Sequence, residues 1–260
     1  ADVVEISSWA ELAAINSALG GDYVLVNDLS SETEGYDDYA GSSANDGAGW
    51  LPIGNSSNPF YGSFDGQGYS ISDIYINRRS GSIGLFGLIE KGTLEEKASI
   101  KNLCVLNMNV TITGAYSCIG ILCGQMDVSD GKGEIPIENV EVSGVIYGDG
   151  ISYTGGIAGY AKYVNFQKCK SNTTITTGSS KDRIGGFVGL VFNSTFRNCY
   201  ASGSVSGGSL IGGFLGRAGT DCFYNCYSST SVSGSGSYVG GFAGRTYGND
   251  IVKEVYWDTE

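Results

Sequence analysis

Three times in the last third of the chain the same run of residues recurs. It reads IGGFVGLVFNSTFRNCYASGSV from Ile184 to Val205, IGGFLGRAGTDCFYNCYSSTSV from Ile211 to Val232, and VGGFAGRTYGNDIVKEVYWD from Val239 to Asp258. Self-similarity at a fixed period constrains architecture more than any single residue, because one such unit is too small to bury its apolar face alone and must stack on its neighbours. Fainter copies lie upstream. The glycine closing each GGFxG-like segment falls at Gly87, Gly124, Gly159, Gly189, Gly216 and Gly244, in steps of 37, 35, 30, 27 and 28 residues. The second half of the unit repeats as IKNLCV at Ile100, IENVEV at Ile137, FQKCKS at Phe166, FRNCYA at Phe196 and FYNCYS at Phe223, with ISDIYI at Ile71 as an earlier relative.

Within a unit the apolar period is two, the alternation of short half-buried strands. The alternation slips once. Phe196 and Cys199 can both point inward only if the chain bends between them, and asparagine is the non-glycine residue that best tolerates the left-handed backbone of such a corner. Asp73, Asn102, Asn139, Asn198 and Asn225 are expected in that slot, with Lys168 as the exception. The doubled glycines (Gly155-Gly156, Gly185-Gly186, Gly212-Gly213, Gly240-Gly241) predict tight corners where neighbouring backbones approach closely. Units of this length hold about three short strands, whereas a propeller blade needs four and roughly 40 or more residues. The expected fold is therefore all-β: a parallel β-helix, or solenoid.

GLFG at Gly84, GGFVG at Gly185, GGFLG at Gly212 and GGFAG at Gly240, each leading toward an NCY-like segment, resemble the GLUG motif. YVLVNDLS at Tyr23 and WLPIGNSSNPFYGSFDGQGYSISDIYI from Trp50 to Ile76 resemble the block that precedes such repeats. The family occurs in large bacterial surface proteins, including adhesin-like proteins and some immunoglobulin A peptidases. The resemblance covers nearly the whole chain. It implies a right-handed β-helix on a secreted bacterial protein and no single activity, since the motif is a scaffold.

The 260 residues suit one solenoid domain: an N-terminal cap over 1–21, opening coils over 22–82 and repeats over 83–260. Forty-two glycines and 16% charged residues, with 41% hydrophobic, describe a turn-rich folded β protein. A net charge of −12, with only Arg78-Arg79 and Lys181-Asp182-Arg183 as basic clusters, argues against nucleic acid as a partner. No apolar stretch is long enough to span a membrane, and no signal peptide is visible. VYWDTE begins a strand at the last residues, so the natural protein is expected to continue beyond Glu260. One helix is expected. Ser8 and Glu11 form a capping box, Trp9, Leu12, Ala13, Ile15 and Leu19 supply an apolar face, and Gly20-Gly21 ends the run. Its role is to cover the open first coil.

The chain has no histidine, which removes HExxH zinc sites and His-dependent nucleophiles together. Of seven cysteines, Cys169, Cys199 and Cys226 share a slot that Leu103 and Val140 fill elsewhere, and Cys123 replaces Ala158, Val188, Leu215 and Ala243. Those are core positions, and a free cysteine behaves there as a small hydrophobe. No metal or other cofactor is expected. The stretch Ser31 to Trp50 carries Glu32, Glu34, Asp37, Asp38 and Asp46; it reads as a solvated loop, with a calcium loop as the alternative. The basic residues Lys101, Lys168, Lys170, Arg197, Arg217 and Arg245 do not converge with carboxylates in any repeat.

Tyr200, Tyr227 and Tyr256 fall at equivalent positions just after the inward slot and are expected to point outward. They serve either as a glycan or protein contact or as cross-coil stacking that stabilises the sheet. The expectation is a non-catalytic extracellular adhesion or spacer module of a bacterial surface protein, with a glycan or cell-surface protein as its partner. The alternative is a β-helix carbohydrate-active enzyme, a polysaccharide lyase or hydrolase, which would need a groove where carboxylates and a cation converge.

Overall fold

Period-two alternation folds here into parallel strands, and each unit crosses three sheets in the same order. In one unit the chain runs through Tyr153–Gly155, Ala158–Lys162, Val164–Gln167 and Lys170–Thr177, and the next repeats this as Arg183–Gly185, Val188–Phe192, Thr195–Arg197 and Tyr200–Gly207. Each strand pairs in parallel with its equivalent in the adjacent unit. The result is one large sheet and two six-stranded ones, with a short N-terminal helix. The computed structural model describes residues 2–258 apart from positions 94, 115–116, 130, 149–152, 179–182, 235 and 248–250. Lys181 and Asp182 of the basic cluster therefore lie outside the described residues.

Register makes the inward positions into columns. Phe166, Phe196 and Phe223 stack face to face with ring centroids 4.9 Å apart at each step. Phe187, Phe214 and Phe242, from the GGFxG segments, form a second stack at 4.5 and 4.8 Å. The two columns meet edge to face, for example Phe187 to Phe196 at 5.8 Å and Phe196 to Phe214 at 5.7 Å. Both arrangements favour the ring quadrupole, at about 0.5–1.5 kcal/mol per pair beyond the burial.

The asparagine corner forms as expected. Asn102, Asn139, Lys168, Asn198 and Asn225 all have φ between 51° and 54°. Their amides also stack: Asn139 Nδ2 donates to Asn102 Oδ1 at 3.0 Å, and Asn225 Nδ2 to Asn198 Oδ1 at 2.6 Å. Lys168 interrupts this ladder. Asp73 does not belong to it. Ser72 pairs with Leu106 and Tyr75 with Asn109, so Asp73 (φ 67°) turns its own corner beside Asn107. ISDIYI is thus the partner of the segment after IKNLCV, because hydrophobic alternation alone does not distinguish two neighbouring corners. Strands also outrun expectation: Ser99–Ile112 and Ile135–Gly148 pass through the corner without a break, with a bulge between Val142 and Gly144.

The N-terminus differs in two ways. Val3–Ile6 is a strand, paired in parallel with Asp22–Leu25, so the cap contributes to the large sheet as well as covering it. Helix α1 (Trp9–Ala14) is short and passes into a 3₁₀ turn over Ile15–Ser17. Ser8 Oγ accepts from Glu11 N as expected, but the Glu11 carboxylate closes on Ser7, at 2.7 Å from its N–H, and that contact holds the carboxyl below its usual range. The acidic stretch is more than a solvated loop. It contains a single-turn helix, α2 (Tyr36–Tyr39), and a left-handed turn over Ala44–Gly47 in which Asn45 and Asp46 have φ of 50° and 57°, and it buries Ala40 and Trp50. Trp9 packs edge-on against both Tyr36 and Trp50, and Tyr36 OH donates to Asp73 O at 2.6 Å. Its carboxylates are the residues left outside: Glu32, Glu34, Asp37, Asp38 and Asp46 are all exposed.

Candidate binding face

The three tyrosines lie on the outer face of the large sheet. Tyr200 pairs in register with Tyr227, and Tyr227 with Tyr256. The rings of Tyr200 and Tyr227 are 5.4 Å apart and nearly parallel, with 3° between their planes. Strand spacing of about 4.8 Å explains the separation, since equivalent outward side chains on adjacent parallel strands can only stack. Tyr200 and Tyr227 are half-buried, and Tyr256 is 59% exposed. Tyr200 OH shares a hydrogen bond with Ser229 Oγ at 2.6 Å, and Tyr227 OH donates to Asp258 Oδ2 at 3.5 Å. Slight desolvation, followed by the Asp258 carboxylate, raises the Tyr227 phenol.

The same column continues backward as Lys170 and Glu141, an ion pair at 3.5 Å. A second cross-strand pair joins Lys101 to Asp65 at 3.2 Å. Lys101 and Lys170 therefore do meet carboxylates, contrary to the sequence expectation, but each in a single solvent-facing pair. Such pairs contribute little to stability. On the adjacent column the Arg197 guanidinium sits 4.1 Å over the Tyr224 ring.

Cys169, Cys199 and Cys226 occupy one inward slot, as Tyr200 N donating to Cys169 O and Tyr227 N donating to Cys199 O fix their stacking. All three are buried, and their thiols donate to backbone carbonyls, Cys169 to Ile137 O at 3.3 Å and Cys226 to Tyr224 O at 3.4 Å. Burial, and then the flanking thiols of Cys169 and Cys226, pushes the Cys199 thiol well above its ordinary range. Cys123 stacks on Ala158 in a separate core column. A thiol reagent is therefore expected to reach at most Cys104, Cys118 and Cys222 in the native protein, and all seven cysteines in denaturant without reductant. Fewer than seven in denaturant would indicate a disulfide.

A cavity of about 410 Å³ opens beside Arg78, Ser82, Cys118 and Gln125. Its cation is already engaged, because Arg78 donates to Trp50 O at 3.0 and 3.2 Å, and no carboxylate is among its lining residues. Among the described residues no three Cys, Asp or Glu side chains cluster to hold a metal ion. No described helix is long and apolar enough to cross a membrane.

Residues 183–206 match the GLUG motif. The chain is 40% identical over 79 residues to a protein designated a Gly-rich membrane protein in Evansella cellulosilytica, which covers 30% of this chain and 9% of that one. It is 31% identical over 164 residues to halomucin of Haloquadratum walsbyi, covering 59% of this chain and 2% of that one. The chain thus spans less than a tenth of these curated relatives. Two solved structures share the fold: a protein designated an immunoglobulin A1 protease from Bacteroides ovatus (TM-score 0.57, 18% identity, 93% of this chain and 84% of that one) and an IgA1 protease (TM-score 0.52, 17% identity, 94% and 21%). At these identities the likeness concerns fold alone. The chain thus carries a GLUG motif over residues 183–206, on a fold shared with IgA1 protease-like structures.

Proposed function

We propose that this chain is a non-catalytic adhesion or spacer module on the outside of a bacterial cell. It is built as one right-handed parallel β-helix, the hand that parallel crossovers take almost without exception. The carrying observation is the register of outward columns kept through the last repeats, above all the parallel Tyr200–Tyr227 stack with Tyr256 in line. A rigid rod that presents aromatic rings at one strand spacing offers flat contact area at small entropic cost. The names of the relatives, a Gly-rich membrane protein and a halomucin, agree with a surface location. The non-catalytic reading is supported by carboxylates that are either dispersed in solvent or engaged by their own neighbours, as Asp22 is by Lys97 and Ser63.

A glycan array run with the wild type and with Tyr200→Ser/Tyr227→Ser/Tyr256→Ser tests the contact. The expected result is binding that falls by about tenfold or more in the triple variant, the loss of aromatic anchors from an interface. Equal binding by both proteins returns the ladder to a purely stacking role. No binding by either leaves the spacer function. Turnover of a polysaccharide or peptide by the wild type would overturn the non-catalytic reading.

A further inference from the structure

The glycine closing each GGFxG segment marks a seam where two sheets touch backbone to backbone. A Cβ on Gly216 would lie 2.5 Å from both Gly189 O and Ile184 N, and one on Gly189 would lie 2.5 Å from Thr154 N. With no side chains along this line, the side chains flanking it on both sheets converge above it. The residue just before the inward position of one sheet (Tyr153, Arg183, Leu210, Tyr238) lies along the seam beside the residue just after the glycine on the other (Tyr160, Leu190, Arg217, Arg245). Arg183 lies over Tyr153 at 5.0 Å, and Arg245 lies over Tyr238 at 4.7 Å and Tyr247 at 4.0 Å. Arg217 also lies over Tyr247, at 4.3 Å. The Tyr247 ring is thus in reach of two guanidinium groups.

What sets these arginines apart is that, among the described residues, none has an acidic partner. The protein carries 27 acidic residues to 15 basic ones, and its ion pairs in the described residues involve Lys97, Lys101, Lys162 and Lys170. Among the described residues Arg183, Arg217 and Arg245 donate to no carboxylate, and the Nε–H groups of Arg183 and Arg217 are buried without an acceptor. With Nε turned inward, the pair of terminal Nη donors at the end of the guanidinium is what remains to take a carboxylate bidentately. Arg217 and Arg245 are in register, one strand spacing (about 4.8 Å) apart, which is comparable to the rise of one pyranose along a linear chain. Tyr238, exposed beside Arg245, supplies a ring face for a sugar.

We propose that this arginine–tyrosine strip is a binding site for a linear glycan bearing carboxylated sugars, its uronate groups seated on Arg217 and Arg245 with Arg183 further along. The site lies on the glycine seam, away from the tyrosine ladder of the large sheet, and is independent of it. Because the whole chain is at −12, a polyanionic glycan meets long-range repulsion, which salt screens, and recognition depends on these local contacts.

The test measures binding of a galacturonate oligosaccharide, and of the same oligosaccharide with its carboxylates methyl-esterified, to the full chain by calorimetry. The wild type binds the acid form and not the ester. R217Q/R245Q binds the acid form roughly a hundredfold more weakly, about tenfold for each charge-assisted pair lost. R217K/R245K keeps charge and stem but not the fork; it is also weakened, by roughly tenfold. The ladder variant Y200S/Y227S binds the acid form as the wild type does, which separates this site from the proposed ladder contact. A thermal melt confirms that each variant is folded, and if R217Q/R245Q is not, the lysine variant decides. Absence of binding by the wild type, equal binding of acid and ester, or undiminished binding by both arginine variants would overturn the proposal.

Discussion

Phe196→Ala is expected to destabilise the protein by about 4 kcal/mol or more, the upper range for removing a fully buried phenylalanine. Phe196 is wholly buried and stands at the centre of one aromatic column and against the other, stacked on Phe166 and Phe223 at 4.9 Å and edge-on to Phe187 and Phe214. Truncation would remove four aromatic contacts at once and leave a void that backbones held at strand spacing cannot close. A folded domain has a total stability of only about 5–15 kcal/mol, so this is a large share. In a repeat array the loss also propagates, because each unit rests on its neighbours, and the units beyond Phe196 should melt first. Denaturant titration of wild type and variant measures the first effect, and amide exchange over Leu210–Gly212 and Leu215–Gly219 the second. A loss under about 1 kcal/mol would show that the columns are decoration on a fold held by its backbone ladders.

Gly216→Ala is expected to cost about 3 kcal/mol or more, the far end of what overpacking costs, for a different reason. The new methyl would lie 2.5 Å from Gly189 O, 2.5 Å from Ile184 N and 2.7 Å from Arg183 C. All three are backbone atoms in sheet ladders, so no rotamer change relieves the clash. The two sheets would have to separate along the whole seam. Gly92→Ala is the matched control: its nearest neighbours are the Glu96 carboxylate at 3.5 Å and Ser129 Oγ at 3.7 Å, side-chain atoms free to move. That change should stay within about 0.5 kcal/mol of wild type. If Gly216→Ala melts with the control, the seam is looser than the geometry implies, and the closing glycine of the motif needs another explanation.

The columns were legible because they follow from counting. Equivalent positions one period apart must stack, so the inward cysteine slot, the outward Tyr200–Tyr227–Tyr256 line and the Asn102, Asn139, Asn198 and Asn225 corner could all be read from aligned repeats. Arg217 and Arg245 also share a repeat position, directly after GGFLG and GGFAG, and that signal was present in the alignment. Their meaning was not. The contacts of Arg245 and Arg217 with Tyr247 and of Arg183 with Tyr153 stay within one sheet, but whether Arg245 also meets Tyr238 depends on which column of another sheet lies across the seam, and no one-dimensional period contains that distance.

Where the repeat fades, legibility fades with it. Asp73 belongs to a second corner that only pairing with Leu106 and Asn109 reveals, since a shift from one corner to the next preserves the alternation. Val3–Ile6 has no upstream copy to align with, and it becomes a strand because Asp22–Leu25 presents an open edge to it. The acidic stretch folded its turns around Ala40 and Trp50, apolar residues too few to show a period. What the sequence by itself determined is the unit: its length, its inward and outward faces, and the corner residues whose backbone angles few side chains tolerate. What only the tertiary structure decided is how units and sheets face one another, because contacts across the seam join residues that local periodicity leaves unrelated and that meet only once the glycines let two backbones touch.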